Sequence, residues 1–127
     1  MGQQQLLLIV LGTIIVGVAV VVGINMFGEG AVNAERDALL QDVNSIASNA
    51  AAYWRKPAAL GGGARTFVGI TSVTTFGSSA SNANGTFTMT VTDSVTFELT
   101  AFGANEGVTI VATVTQDGVQ GTPDITL

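Results

Sequence analysis

Cysteine and histidine are both absent from this 127-residue chain. Without cysteine there is no disulfide framework and no thiol chemistry. Without histidine the commonest general base and the commonest metal ligand are gone, and with them every Cys/His zinc or haem-attachment pattern. No nucleophilic triad can be drawn, since a Ser/Lys alternative has only Lys56 to use. Charge is scarce too. Only 10% of residues carry it, against roughly 25% in a soluble domain. The basic residues are Arg36, Arg55, Lys56 and Arg65, too few and too scattered to neutralise a phosphate backbone, so no nucleic-acid site is expected in the subunit. Aromatic content is 6% with no haem motif, which leaves long-range electron conduction without support. Neither a cofactor nor an enzymatic activity is expected.

What the chain does have is apolar length at its front. "MGQQQLLLIVLGTIIVGVAVVVGINMF" sets three glutamines before a run that meets no charged side chain until Glu29. A secretory signal peptide has a basic region, about 7–15 apolar residues and a small-residue cleavage site. Here the basic region is missing and the stretch is too long. A transmembrane anchor needs about 20 mostly apolar residues, which Leu6 to Phe27 supplies. Anchors usually carry flanking Lys or Arg on the cytoplasmic side, yet the nearest basic residue is Arg36. A third reading is a helix that occupies a membrane before assembly and then packs with copies of itself.

Small residues favour the third reading. Thr13 and Gly17 form one small-xxx-small pair, and Ala19 and Gly23 form another. At about 100° per residue, Gly12, Ala19 and Gly23 fall within about 40° of one another on a helix. Such a groove lets two backbones approach closely in apolar surroundings. The alternative is that these are simply the glycines common in any membrane helix. The many β-branched residues from Ile14 to Val22 would weaken a helix in water. Where water is absent every backbone group must bond internally, and the helix is nearly forced.

Residues 28–56 read as an amphipathic continuation. Gly28 and Gly30 are expected to open the helix, each costing about 1 kcal/mol in a helix interior. Val32, Leu39, Val43, Ile46, Ala50 and Tyr53 then form an apolar stripe, with Glu35, Asp37, Gln41, Asp42, Asn44 and Asn49 expected mostly off it. Pro57 gives the stop, and Arg55 and Lys56 suit the C-terminal end of the helix dipole. Tyr53 and Trp54 are expected to staple the helix end to the sheet rather than to bind a ligand.

After "ALGGGA" the period changes to two. "TFTMTVT", "SVTFELTAF" and "GVTIVATVT" alternate apolar residues with threonine, as half-buried antiparallel strands do. Asp93-Ser94, residues 103–107 and Asp117-Gly118 supply turns. Residues 65–76 are a less regular strand candidate or a connecting segment, 77–85 a loop, and "TPDITL" a short edge strand. The expected class is α+β, a long N-terminal helix packed on a small antiparallel sheet. Three regions are expected: an apolar helix 1–27, its amphipathic continuation 28–56, and a threonine-rich β domain 57–127.

With these features the chain resembles the type IV pilin family: a polar lead of Gln3, Gln4 and Gln5, an apolar helix starting within a few residues, and an amphipathic continuation under a small β domain. "GQQQLLLIVLG" is similar to pilin-like filament proteins of bacteria and archaea. The resemblance implies a major pilin of an extracellular pilus, held in the cytoplasmic or inner membrane before assembly. Its partners would be identical subunits and the pilus assembly machinery. It further implies a short basic leader removed by a prepilin peptidase, with Met1 at the mature, methylated end. Met1 as initiator, or cleavage after Gly2, are the other readings. Pilins usually carry glutamate at the fifth mature position, where it meets a neighbour's terminal amine; this chain has Gln5. Met1, Gln3, Gln4 and Gln5 are thus a candidate polar assembly cluster, with the alternative that the glutamines mark a membrane–water boundary.

Two other readings concern the β domain. A single-pass membrane protein could display it outside the cell to bind a ligand or partner. The carboxylates Asp93, Glu98, Glu106, Asp117 and Asp124 are expected to be solvated surface, with no D-x-D-x-D-G loop among them. Gly61–Gly63 lacks the strand-then-Lys context of a phosphate loop. Asn84-Gly85-Thr86 is a candidate N-glycosylation sequon, although turn chemistry alone explains Asn-Gly there and is the favoured reading.

Overall fold

One long helix and three successive hairpins build the fold. The computed structural model describes residues 2–105 and 107–126. Helix α1 runs Gly2–Arg55, short 3-10 turns follow at Ala58–Leu60 and Val73–Phe76, and four strands complete the chain: β1 (Gly85–Val91), β2 (Thr96–Gly103), β3 (Thr109–Thr115) and β4 (Gly118–Thr126). The chain divides into two units, residues 1–33 and 34–127. The second is the expected α+β arrangement, in which the rear part of α1 packs on an antiparallel sheet of order β1-β2-β3-β4.

Register follows the period-two pattern. Met89 faces Leu99, Leu99 faces Ala112, Ala101 faces Ile110 and Phe97 faces Val114. These side chains are buried, whereas Thr86, Thr88, Thr90 and Glu98 stay on the solvent face. The edge strand is longer than "TPDITL" alone. It begins at Gly118, whose left-handed backbone (φ 114°) reverses the chain just after Gln116 and Asp117. Its register shifts between Val111 and Thr113, where left-handed Gly121 and Pro123 make a bulge that an edge can tolerate.

The stripe of α1 seats Leu39, Val43, Ile46, Ala47 and Ala50 in the core. One expectation fails here. Glu35, expected off the stripe, is only 9% exposed. It lies one helical turn before Leu39, and the turn after β2 gives its carboxylate a donor: Asn105 N–H reaches Oε1 at 2.8 Å. Gly103 is needed beside it, because an added Cβ would sit 2.6 Å from the Glu35 Cδ.

A second expectation fails at Gly28 and Gly30. α1 continues through both without a break, and the boundary between the units falls after Asn33. Two glycines cost about 2 kcal/mol together, whereas a break would forfeit backbone bonds on both sides and require the helix to be nucleated a second time.

Residues 65–76 are a connecting segment rather than a strand, yet they enter the core. Phe67, Val73 and Phe76 are buried. Phe67 and Phe97 meet edge-on at 5.0 Å, Phe76 and Phe97 lie 5.5 Å apart, and Tyr53 meets Phe76 at 5.3 Å. Trp54 Nε1–H donates to the Ser94 carbonyl, in the turn between β1 and β2, at 3.1 Å, so Trp54 ties the helix end to the edge of the sheet, whereas Tyr53 packs on the connecting segment rather than on a strand. The following loop caps the helix end: Gly63 N–H reaches Tyr53 O at 2.9 Å and Arg65 N–H reaches Trp54 O at 2.8 Å, while Ala64 N–H reaches the carbonyl of Lys56 just past the helix. Those bonds hold Ala64 and Arg65 in left-handed backbone (φ 51° and 65°), a conformation side chains otherwise avoid.

Candidate functional site

The apolar front of α1 is uncovered. From Leu6 (62% exposed) to Phe27 (83%), every large hydrophobic side chain stands out from the helix. The segment is long and apolar enough to cross a membrane, with none of its most apolar stretch buried. Burying one Val, Leu or Ile side chain is worth about 1.5–3 kcal/mol relative to water. More than a dozen such residues lie between Leu6 and Phe27, so this surface demands a cover.

The small residues shape that surface. An added Cβ at Gly12, Gly17 or Gly23 would meet nothing within 4 Å. α1 is regular here, so Gly12, Ala19 and Gly23 share one strip, and Thr13 and Gly17 lie on another about 100–140° round the axis. Thr13 donates its hydroxyl to the Ile9 carbonyl at 2.8 Å, which satisfies it inside the helix. Gln3, Gln4 and Gln5 project from the first turns and are exposed. Met1 lies outside the described residues.

The carboxylates are dispersed. Asp93 Oδ1 accepts Val95 N–H within its turn, and Asp117 pairs with Arg55 at 3.3 Å on the surface. Glu98 sits on the threonine face and Asp124 on β4. Glu106 lies outside the described residues. Among the described residues no three acidic side chains gather in a metal-binding group.

Asn84 belongs to a clasp that its sequon does not reveal. Asp42 Oδ2, on α1, accepts Asn84 Nδ2–H at 2.7 Å and Asn82 Nδ2–H at 3.1 Å. Asn82 Oδ1 in turn accepts the N–H groups of Asn84 and Gly85. The helix thereby holds the loop that leads into β1. Alanine at Asp42 strands two amides, each orphaned group costing about 1–3 kcal/mol if it stays dry. The Asp42→Ala variant is expected to lose about 1–2 kcal/mol of stability, less than the full sum because the site is partly wet. Amide exchange should accelerate in residues 77–85 and remain slow in β2 and β3. Charge alone marks Asp42 as surface in the sequence; only the tertiary fold brings the two asparagines to it. The chain matches no protein-family model, no curated protein and no solved structure.

Proposed function

We propose that the chain is the structural subunit of an extracellular type IV-like pilus, polymerising through its N-terminal apolar helix. The observation that carries this reading is the fully uncovered run from Leu6 to Phe27. Lipid covers it before assembly, and after extraction identical copies are the remaining cover. Small-residue strips on two different faces of α1 support packing against more than one neighbour. A contact that repeats along an axis without closing builds a filament. The glutamines at 3–5 replace an ionised carboxylate with neutral amides, which desolvate at lower cost in a fibre core and still accept a terminal amine. No step requires a catalytic residue, and we read the chain as a non-enzyme. Asn84 is read as an unmodified turn residue, its side-chain nitrogen already held by Asp42.

The span length supports a second reading, a single-pass membrane protein displaying its β domain outside the cell. Electron microscopy of sheared surface material separates the two. Fibres labelled by an antibody against residues 34–127 are the expected result. A chain that stays with the membrane and leaves in detergent as a dispersed monomer or small oligomer would overturn the pilus and favour the anchor.

A further inference from the structure

The groove between α1 and the segment 75–82 has the chemistry of a sugar site. Two cavities, of about 240 and 320 Å³, adjoin one another and share Asn49 and Gly77 in their walls. Into the first project Asp42, Ser45 and Asn49 from α1, and Ser78, Ser79 and Asn82 from the facing segment. Ile46 and Phe87, both buried, complete its lining. The second is flanked by Tyr53, whose ring packs on Phe76 yet stays half-exposed, with Lys56 and Thr75 at its rim.

We propose that this groove binds a neutral oligosaccharide, one ring in each cavity. An anion in the first cavity would face the Asp42 carboxylate with no cation there to offset it. A hard metal ion wants six or more oxygen ligands, several of them charged, and this cavity offers one carboxylate. An apolar ligand would strip water from the Asp42 carboxylate and the Ser45 hydroxyl without replacing it. A sugar ring presents donors and acceptors together, which suits a wall of hydroxyls, amides and one carboxylate. The apolar flank of Tyr53 suits the C–H face of a second ring. The walls are also held in place before any ligand arrives. Asn49 Nδ2–H donates across the groove to Ser78 Oγ at 2.9 Å, and Asn82 Nδ2–H to Asp42 at 3.1 Å. Such prior ordering lowers the entropy lost on binding. The groove lies within residues 34–127 and would exist equally in a fibre or a dispersed membrane protein, so the inference stands apart from the filament reading.

Saturation-transfer NMR tests it, using the full chain in phosphocholine micelles, which carry no sugar. The probes are maltose, cellobiose, lactose and N,N′-diacetylchitobiose. At least one is expected to show transfer, with a Kd of about 1 mM. Asn49→Leu at the junction and Ser45→Leu on the open wall should each weaken it at least tenfold while the far-UV circular dichroism is unchanged. Among the described residues Ser45 makes no side-chain bond across the groove, so Ser45→Leu serves if Asn49→Leu fails to fold. Absence of transfer to all four probes would overturn the proposal, as would transfer that Ser45→Leu leaves intact.

Discussion

In the proposed filament, lysine in place of Val16 is expected to abolish fibres while leaving residues 34–127 folded. Val16 lies midway along the apolar run and is 61% exposed. At the centre of a bilayer one such cation costs about 2.5–3.5 kcal/mol, less where the side chain can snorkel. A fibre is less forgiving. Every copy would bring a cation into the shared core, and the chain has no carboxylate before Glu29 to neutralise it. An unpaired buried charge costs several kcal/mol, and repetition along an axis multiplies the defect at every contact. Val16→Leu, which keeps the apolar character, should assemble as the parent does. Counting fibres in sheared material checks both, with circular dichroism reporting the fold. Fibres at the parental yield from Val16→Lys would remove the apolar run from the core and end the filament reading.

The same contrast between local pattern and distant partner separates what is legible in the sequence from what is not. Strand alternation is a local signal, so spacing alone turns Phe97, Leu99, Ile110 and Val114 inward, and they are buried. The helix stripe is equally legible from Leu39 to Ala50. Glu35 is not. It sits at helical spacing from Leu39, but its charge argues for solvent, and the donor that makes burial tolerable, Asn105 N–H, lies 70 positions along the chain. Phe67, Val73 and Phe76 escape recognition as core because their spacings of six and three fit neither period. Gly28 and Gly30 mislead in the other direction: their intrinsic penalty is real but smaller than the loss of the backbone bonds a break would require. The candidate surface itself is the most legible feature, since an apolar run of that length is visible without knowing any contact. The clasp at Asp42 and the groove beside it leave no trace in local pattern. They depend on four loop residues, Ser78, Ser79, Asn82 and Asn84, meeting a helix well upstream.

Alanine at Phe97 is expected to have the largest effect on folding stability. Phe97 is fully buried and touches Phe67 and Phe76 ring to ring, joining β2 to the connecting segment and, through Phe76, to Tyr53 on α1. Truncating it removes most of a ring's burial and leaves a cavity that the sheet cannot close, because Leu99 and Val114 are fixed by register. Such substitutions cost about 3–5 kcal/mol. A domain of this size commonly has about 5–15 kcal/mol to lose, and each kcal/mol moves the midpoint by about 4–8 °C. The melting midpoint of Phe97→Ala should therefore fall by about 15–30 °C, with Phe97→Leu losing much less. Arg55→Ala supplies the opposite case. Its pair with Asp117 spans 3.3 Å, but both side chains are more than half exposed, and such surface pairs contribute about 0.2–1 kcal/mol. Thermal melts of the two variants weigh ring packing against surface charge as the force that joins helix to sheet. If Arg55→Ala lost as much as Phe97→Ala, the aromatic cluster would not be the centre of this core.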